Sequence, residues 1–166
     1  MFNSLLQELF AVYVPPCFRS AEVTDEDIQK YVTGMLVRFA NAEVASKTKI
    51  ADQAIEDIGE MVAKSDPIFG TASSFEEERR VRQYVGDAAL FFSGLYPGSI
   101  HYRQRHQQTV QTADELIRVG KESYYIVSQL DVFEYRQEAR LFNKLANRFD
   151  DCVRGLTLVR ERLLTR

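Results

Sequence analysis

The chain has 166 residues, of which 45% are hydrophobic and 27% are charged, with a formal net charge of -3. This length suits one domain that buries roughly two-thirds of the surface of its unfolded chain, and the composition excludes a disordered protein. The net negative charge argues against a surface that attracts nucleic acid everywhere. No stretch approaches the roughly 18 apolar residues that a membrane span requires.

Cys17 and Cys152 lie near opposite ends of the chain, without a Cys-x-x-Cys motif. This arrangement indicates two reduced thiols and no disulfide framework. The first residues lack the basic and apolar regions of a secretory signal. We therefore expect a cytoplasmic protein.

Three helices are predicted within the first 64 residues. Residues 2–13 place apolar side chains at helical spacing, and Pro15 and Pro16 are expected to end this short helix. Thr24 is the predicted N-cap of a second helix, from about 25 to 42, with acidic residues in its first turn. A third helix is predicted from about 47 to 64, followed by a link over 65–72.

The segment from Ser73 to Leu130 is expected to organise the fold and to hold any functional site, because it contains both histidines and two in-helix glycines. A capping box at Ser73 or Ser74 starts the fourth helix. Its apolar stretch from Ala88 to Phe92 predicts a central position. Residues 99–111 show no clear periodicity, and a fifth helix is predicted from about Thr112 to Leu130. The residues expected to be buried in the fourth helix are Phe75, Val81, Val85, Ala88, Ala89, Phe92 and Leu95.

The last helix is predicted from about 134 to 164, which corresponds to about 45 Å. This length exceeds what a domain of this size must cover, so we expect part of the helix to pack on something outside the chain, such as a second copy. Together these elements predict an all-α, single-domain bundle of five to six mostly antiparallel helices with a long C-terminal helix. The apolar stripe of that helix comprises Leu141, Phe142, Leu145, Phe149, Cys152, Val153, Leu156, Val159 and Leu163.

Gly86 and Gly120 lie inside predicted helices, where each costs up to about 1 kcal/mol relative to alanine. Two explanations remain open. The glycines leave room for a ligand, or they allow the fourth and fifth helices to cross closely, each glycine accepting the bulk of the other helix. The second explanation is the favoured one, because single in-helix glycines are tolerated for packing reasons.

A ligand pocket is the corresponding functional hypothesis for this region. If Asp87 and Lys121 face each other inside the bundle, they form an ion pair framed by aromatic rings, as small-molecule sites often do. The alternative is ordinary core packing, with Asp87 and Lys121 each pointing to water. The candidate pocket residues are Tyr84, Asp87, Phe91, Lys121 and Tyr124.

The sequence carries no recognisable catalytic or metal motif. His101 and His106 are five residues apart with arginines between them, whereas helical metal sites use i, i+3 or i+4 spacing with a nearby carboxylate. Neither a nucleophile elbow nor a phosphate-binding loop occurs. We therefore expect no metal, cofactor or catalytic residue, and the question of an enzyme is left open with the balance against it.

Four basic residues recur every four positions in the last predicted helix and form one ridge: Arg136, Arg140, Lys144 and Arg148. The ridge predicts contact with phosphates, as in a regulatory module that binds nucleic acid. The alternative is a solvated face that forms ion pairs with Glu134 and Glu138.

Three functional hypotheses follow from these patterns. The leading one is a non-enzymatic interaction or scaffold protein that forms a homodimer or binds a protein partner. The second is a small-molecule-binding or enzymatic bundle with a pocket between the fourth and fifth helices. The third is a module that contacts nucleic acid through its basic C-terminal helix. The sequence identifies no ligand, reaction or partner.

Overall fold

The computed structural model describes residues 2–46, 75–97, 113–130 and 136–165. The predicted helix over 47–64, the link over 65–72, the capping box at Ser73 or Ser74, and the stretch 99–111 with His101 and His106 lie outside these residues. The described residues form six α-helices, which confirms the all-α bundle. The helices are α1 (Phe2–Ser20), α2 (Glu26–Ser46), α3 (Phe75–Leu95), α4 (Ala113–Gln129), α5 (Arg136–Asn147) and α6 (Phe149–Leu164).

Helix α3 is the central element, as its apolar sequence predicts. Every residue from Val85 to Gly94 is buried. The helix packs against α4 and α6 and also contacts α2, while α1 packs against α2 and α6. A single hydrophobic core joins all six helices. At the start of α3 the prediction for Phe75 was wrong, because this side chain is 66% exposed.

Helix α1 is longer than predicted, because it continues through Pro15 and Pro16 to Ser20. A proline inside a helix removes the hydrogen bond to the carbonyl four residues earlier. Here those carbonyls belong to Ala11 and Val12, and both residues are exposed. Water can therefore hydrate the two carbonyls, so the prolines do not end the helix.

Helix α2 begins one residue later than predicted and with a different cap. Oδ1 of Asp25 accepts hydrogen bonds from the backbone N–H groups of Asp27 at 2.9 Å and Ile28 at 3.2 Å. Asp25 is therefore the N-cap, and the assignment of Thr24 to this role was wrong. The helix also extends to Ser46, beyond the predicted end near residue 42.

The single last helix of the prediction is interrupted at Arg148, which separates α5 from α6. The two helices pack against different neighbours, α5 against α4 and α6 against α1 and α3. The predicted apolar stripe is covered within the chain, because Leu145, Phe149 and Leu156 are fully buried in the common core. This stripe therefore does not require an external partner.

Gly86 and Gly120 mark close contacts between helices, as the favoured explanation predicted. A Cβ atom on Gly86 would lie 2.5 Å from two ring atoms of Tyr124 in α4. A Cβ atom on Gly120 would lie 2.8 Å from the Cβ of Ala89 in α3 and 2.4 Å from the ring of Phe149 in α6. Alanine at either position would meet a buried neighbour, so both glycines allow α3 and α4 to approach each other.

Candidate functional site

Asp87 is the buried acidic residue around which a polar cluster is built. It lies in the central helix α3 and is only 5% exposed. Its neighbour Gly86 has no side chain, and the ring of Tyr124 occupies the space in which a Cβ would lie. The absence of a side chain at position 86 therefore lets α4 bring a tyrosine hydroxyl to the carboxylate of Asp87.

Three side chains from two other helices donate hydrogen bonds to Asp87. Tyr31 of α2 and Tyr124 of α4 both donate their hydroxyl protons to Oδ1, at 2.6 and 2.7 Å. Arg38 of α2 donates from Nη2 to Oδ2 at 3.0 Å. The guanidinium of Arg38 also lies 5.6 Å from the centre of the Tyr31 ring. We call these four residues the Asp87 cluster.

Burial dominates the electrostatics of the Asp87 cluster. Removal from water raises the pKa of Asp87 to about 6, although the hydrogen bonds from Tyr31 and Tyr124 and the charge of Arg38 act in the opposite direction. Burial and the nearby negative charge of Asp87 raise the pKa of both tyrosines above its ordinary value. At neutral pH the two hydroxyl groups are therefore protonated donors and Asp87 is mostly a carboxylate.

A chain of polar side chains leads from the Asp87 cluster toward the surface. Gln83 donates from Nε2 to the hydroxyl of Tyr31 at 3.2 Å. Arg79, which is 8% exposed, donates to Oε1 of Gln83 at 3.4 Å and forms an ion pair with Glu138 of α5. The cluster and this chain thus connect α2, α3, α4 and α5 through directional bonds.

The chemistry of the Asp87 cluster is that of a buried anion whose negative charge is already compensated. Both carboxylate oxygens already accept hydrogen bonds from protein groups, and the side chain is almost fully buried. The side chain of Arg38 is 54% exposed, whereas that of Asp87 is 7% exposed. The arrangement therefore favours a role in holding three helices together, with Arg38 on the side nearest to solvent.

The structure brings only part of the predicted pocket together. Asp87 and Tyr124 are in direct contact, and Phe91 is buried in an aromatic group where it stacks on Phe39 at 4.9 Å. Tyr84 is 39% exposed and stacks on the same Phe39 at 5.9 Å.

The structure does not form the ion pair between Asp87 and Lys121 on which the pocket hypothesis depends. Lys121 points to the surface, where it pairs with Asp150 at the start of α6, and both side chains are about half exposed. The partner of Asp87 is Arg38, which belongs to a different helix. The buried face of α4 presents Tyr124, rather than a cation, to Asp87.

Tyr31 and Arg38 are the two cluster residues that the sequence patterns did not predict. The segment from Ser73 to Leu130 was expected to contain the whole site, yet these two residues lie in α2. They are seven residues apart, so they share one side of the helix. Tyr31 also follows Ile28 by three residues and lies at the margin of the apolar face. The seven-residue spacing of Tyr31 and Arg38, beside the apolar face, was the sequence feature that could have placed both residues at the site.

The predicted basic ridge does not present four unpaired cations. Lys144 pairs with Asp25 at 2.9 Å, and Arg148 pairs with Asp151 at 3.1 Å and also donates to the carbonyl oxygen of Glu22. Arg140 is exposed, and Arg136 begins α5. Glu138, an expected partner within the ridge, instead pairs with Arg79 of α3.

Comparisons of the chain with models of known families, with curated proteins and with solved structures give no match. In the four described segments, no group of three or more His, Cys, Asp or Glu side chains is arranged to hold a metal ion. None of the helices in these segments combines the length and the apolar character needed to cross a bilayer.

Proposed function

We propose that the protein is a non-enzymatic, cytoplasmic interaction protein whose contact surface is the outward face of α1. The observation that carries this proposal is an apolar row on that face, spaced at i, i+4, i+7 and i+11. Leu5 is 60% exposed and Val12 is 65% exposed, and both lie on the side of α1 opposite Phe10 and Val14. We call the row the α1 stripe; it consists of Leu5, Leu9, Val12 and Pro16.

The α1 stripe supports an interaction because it does not serve the internal core. The opposite face of α1 already fills the core with Phe10, Val14 and Phe18. Leu9 and Pro16 of the stripe are half-buried. Single exposed apolar residues are ordinary, but a row of exposed and half-buried apolar side chains along one helix presents a continuous surface that gains free energy when a partner covers it. A helix with apolar residues on two sides is suited to contact two bodies at once.

Two further observations fit this proposal. The apolar stripe of the last predicted helix, on which a partner was first expected, is covered inside the chain, so α1 replaces it as the contact surface. Cys17 and Cys152 are free and buried, which is compatible with a reducing compartment such as the cytoplasm.

The two alternative functions have less support from the contacts. The pocket hypothesis was based on an ion pair between Asp87 and Lys121, and Lys121 pairs with Asp150 instead. The nucleic-acid hypothesis was based on four free cations, and acidic groups offset the charges of Lys144 and Arg148. We therefore favour the interaction protein over both.

The test compares the wild type with a variant that carries Leu5→Glu and Val12→Glu. The matched control is Leu164→Glu, because Leu164 is 76% exposed but lies at the end of α6. Circular dichroism should show the same helix content for all three proteins, since each substituted side chain is exposed.

Sedimentation velocity measures self-association of each protein. Affinity capture, followed by reconstitution of each complex from purified components, measures association with other proteins. We expect wild type and control to form a complex that the double variant does not form. The proposal is refuted if the double variant associates as well as the wild type, or if no reconstituted complex or self-association exists for any of the three.

A further inference from the structure

The charges of α1 indicate which partner covers the α1 stripe. Within α1, Glu8 and Arg19 are the only charged residues, and both are exposed. They are eleven residues apart, which is close to three full turns, so they lie on the same side of the helix. By the same geometry both flank the α1 stripe along one edge, with the acidic residue near the start of the helix and the basic one near its end.

When two copies of α1 run antiparallel, the acidic residue of each copy lies opposite the basic residue of the other. In a two-fold symmetric pair of antiparallel helices, an edge of one helix meets the same edge of the other in the opposite direction. If the two-fold axis passes near Val12, Glu8 of each copy lies within reach of the Arg19 side chain of the other copy. In a parallel two-fold pair this edge of one helix instead meets the opposite edge of the other helix, so Glu8 and Arg19 of the two copies do not face each other.

We propose that the partner of the α1 stripe is a second copy of this chain, with the two α1 helices antiparallel and joined by two symmetric ion pairs between Glu8 and Arg19. This inference rests on the proposed function, because it names the partner of the same surface. Val12 lies at the centre of the contact, where the symmetry axis brings the two copies of the stripe together. Leu9 and Pro16 extend the apolar contact on either side.

The expected strength of this dimer follows from its size. One helix from each copy buries less surface than a standard protein interface, so the dimer is in concentration-dependent equilibrium with the monomer. Exposed ion pairs contribute little to affinity individually but determine which orientation is favoured. The stripe therefore provides the attraction and the two charged residues select the antiparallel arrangement.

The experiment measures the dimer dissociation constant by sedimentation equilibrium for wild type, Glu8→Arg, Arg19→Glu and the double variant with both changes. The protein mass of 19.1 kDa makes monomer and dimer easy to separate. Arg140→Glu is the control, because it changes an exposed charge outside α1. The proteins are measured at low ionic strength, from micromolar to near-millimolar concentration.

We expect each single variant to dimerise about tenfold more weakly, because both ion pairs become contacts between like charges. The double variant reverses both members of each pair and should regain wild-type affinity, and the control should leave affinity unchanged. An equimolar mixture of the two single variants should form a heterodimer more tightly than either forms a homodimer.

Two results overturn the inference. If the single variants dimerise as well as the wild type, or if the double variant is not restored, the antiparallel arrangement is wrong. If the wild type stays monomeric throughout, a second copy is not the partner. In that case a reconstituted complex with another protein that depends on Leu5 and Val12 leaves the proposed function intact, whereas the absence of any such complex refutes both.

Discussion

Replacing Gly86 by alanine tests whether close contact between α3 and α4 positions the Asp87 cluster. The added Cβ would lie 2.5 Å from Cδ1 and Cε1 of Tyr124, closer than nonbonded carbon atoms approach each other. The ring of Tyr124 is fully buried, and its hydroxyl is bonded to Asp87. The ring therefore has no open space to enter, and either it or the helix must move.

The size of the effect follows from three contributions. Alanine gains up to about 1 kcal/mol over glycine inside a helix. Overpacking of a core costs about 1–3 kcal/mol, and loss of a hydrogen bond to a charged group costs about 1.5–3 kcal/mol. We expect Gly86→Ala to lower the free energy of unfolding by about 1.5–5 kcal/mol.

Gly34 in α2 provides the matched control. Among the described residues, a Cβ at this position meets no atom within 4 Å, so Gly34→Ala should gain helix propensity without a clash. We expect its free energy of unfolding to rise by up to about 1 kcal/mol. Urea unfolding followed by circular dichroism measures both variants, and similar m-values would show that the unfolded states are comparable. If Gly86→Ala is as stable as Gly34→Ala, the packing argument for the cluster is wrong.

Three further predictions concern charged residues. Asp87→Asn removes a carboxylate whose pKa is raised from 3.8 to about 6. The free energy of unfolding of wild type should therefore fall by about 3 kcal/mol relative to this variant as the pH rises from below 4 to above 6. Parallel pH profiles of unfolding for the two proteins would contradict this. Asp25→Ala removes the cap of α2 and should lower the free energy of thermal unfolding by about 1 kcal/mol, whereas Asp25→Asn keeps the cap and should lower it much less. Equal losses for the two variants would mean that the ion pair with Lys144 contributes more than the cap. Lys121→Ala breaks only the exposed pair with Asp150 and should cost less than about 1 kcal/mol in urea unfolding; a loss of several kcal/mol would indicate a buried partner.

The sequence predicted the type and position of most helices because hydrophobic periodicity is a local signal. Helix α3 illustrates this, since its run of small and apolar residues from Ala88 to Phe92 correctly predicts burial on all sides. The two glycines likewise indicated that α3 and α4 approach closely. Such patterns report which face of a helix is buried.

Periodicity does not report which residue of another helix lies opposite, and this explains the errors in the site. Lys121 was considered as a partner of Asp87 because each residue follows an in-helix glycine, yet Asp87 pairs with Arg38 of α2. Some predicted helix boundaries were wrong for a related reason. Pro15 and Pro16 are tolerated because the carbonyls they leave free belong to exposed residues, and the break at Arg148 separates helices with different packing neighbours.

The contact between α1 and α6 affects how the chain acquires its structure during synthesis. Phe18 of α1 packs where Gly155 of α6 has no side chain; a Cβ there would lie 2.6 Å from the Phe18 ring. Most of the chain separates these residues. Because ribosomes add about 5–20 residues per second, roughly 10 s pass between the synthesis of α1 and that of α6. Of the described helices that pack on α1, α2 is the one already made during that interval, while the α1 stripe remains open. Until α6 is made, the nascent chain therefore leaves two apolar surfaces of one helix incompletely covered.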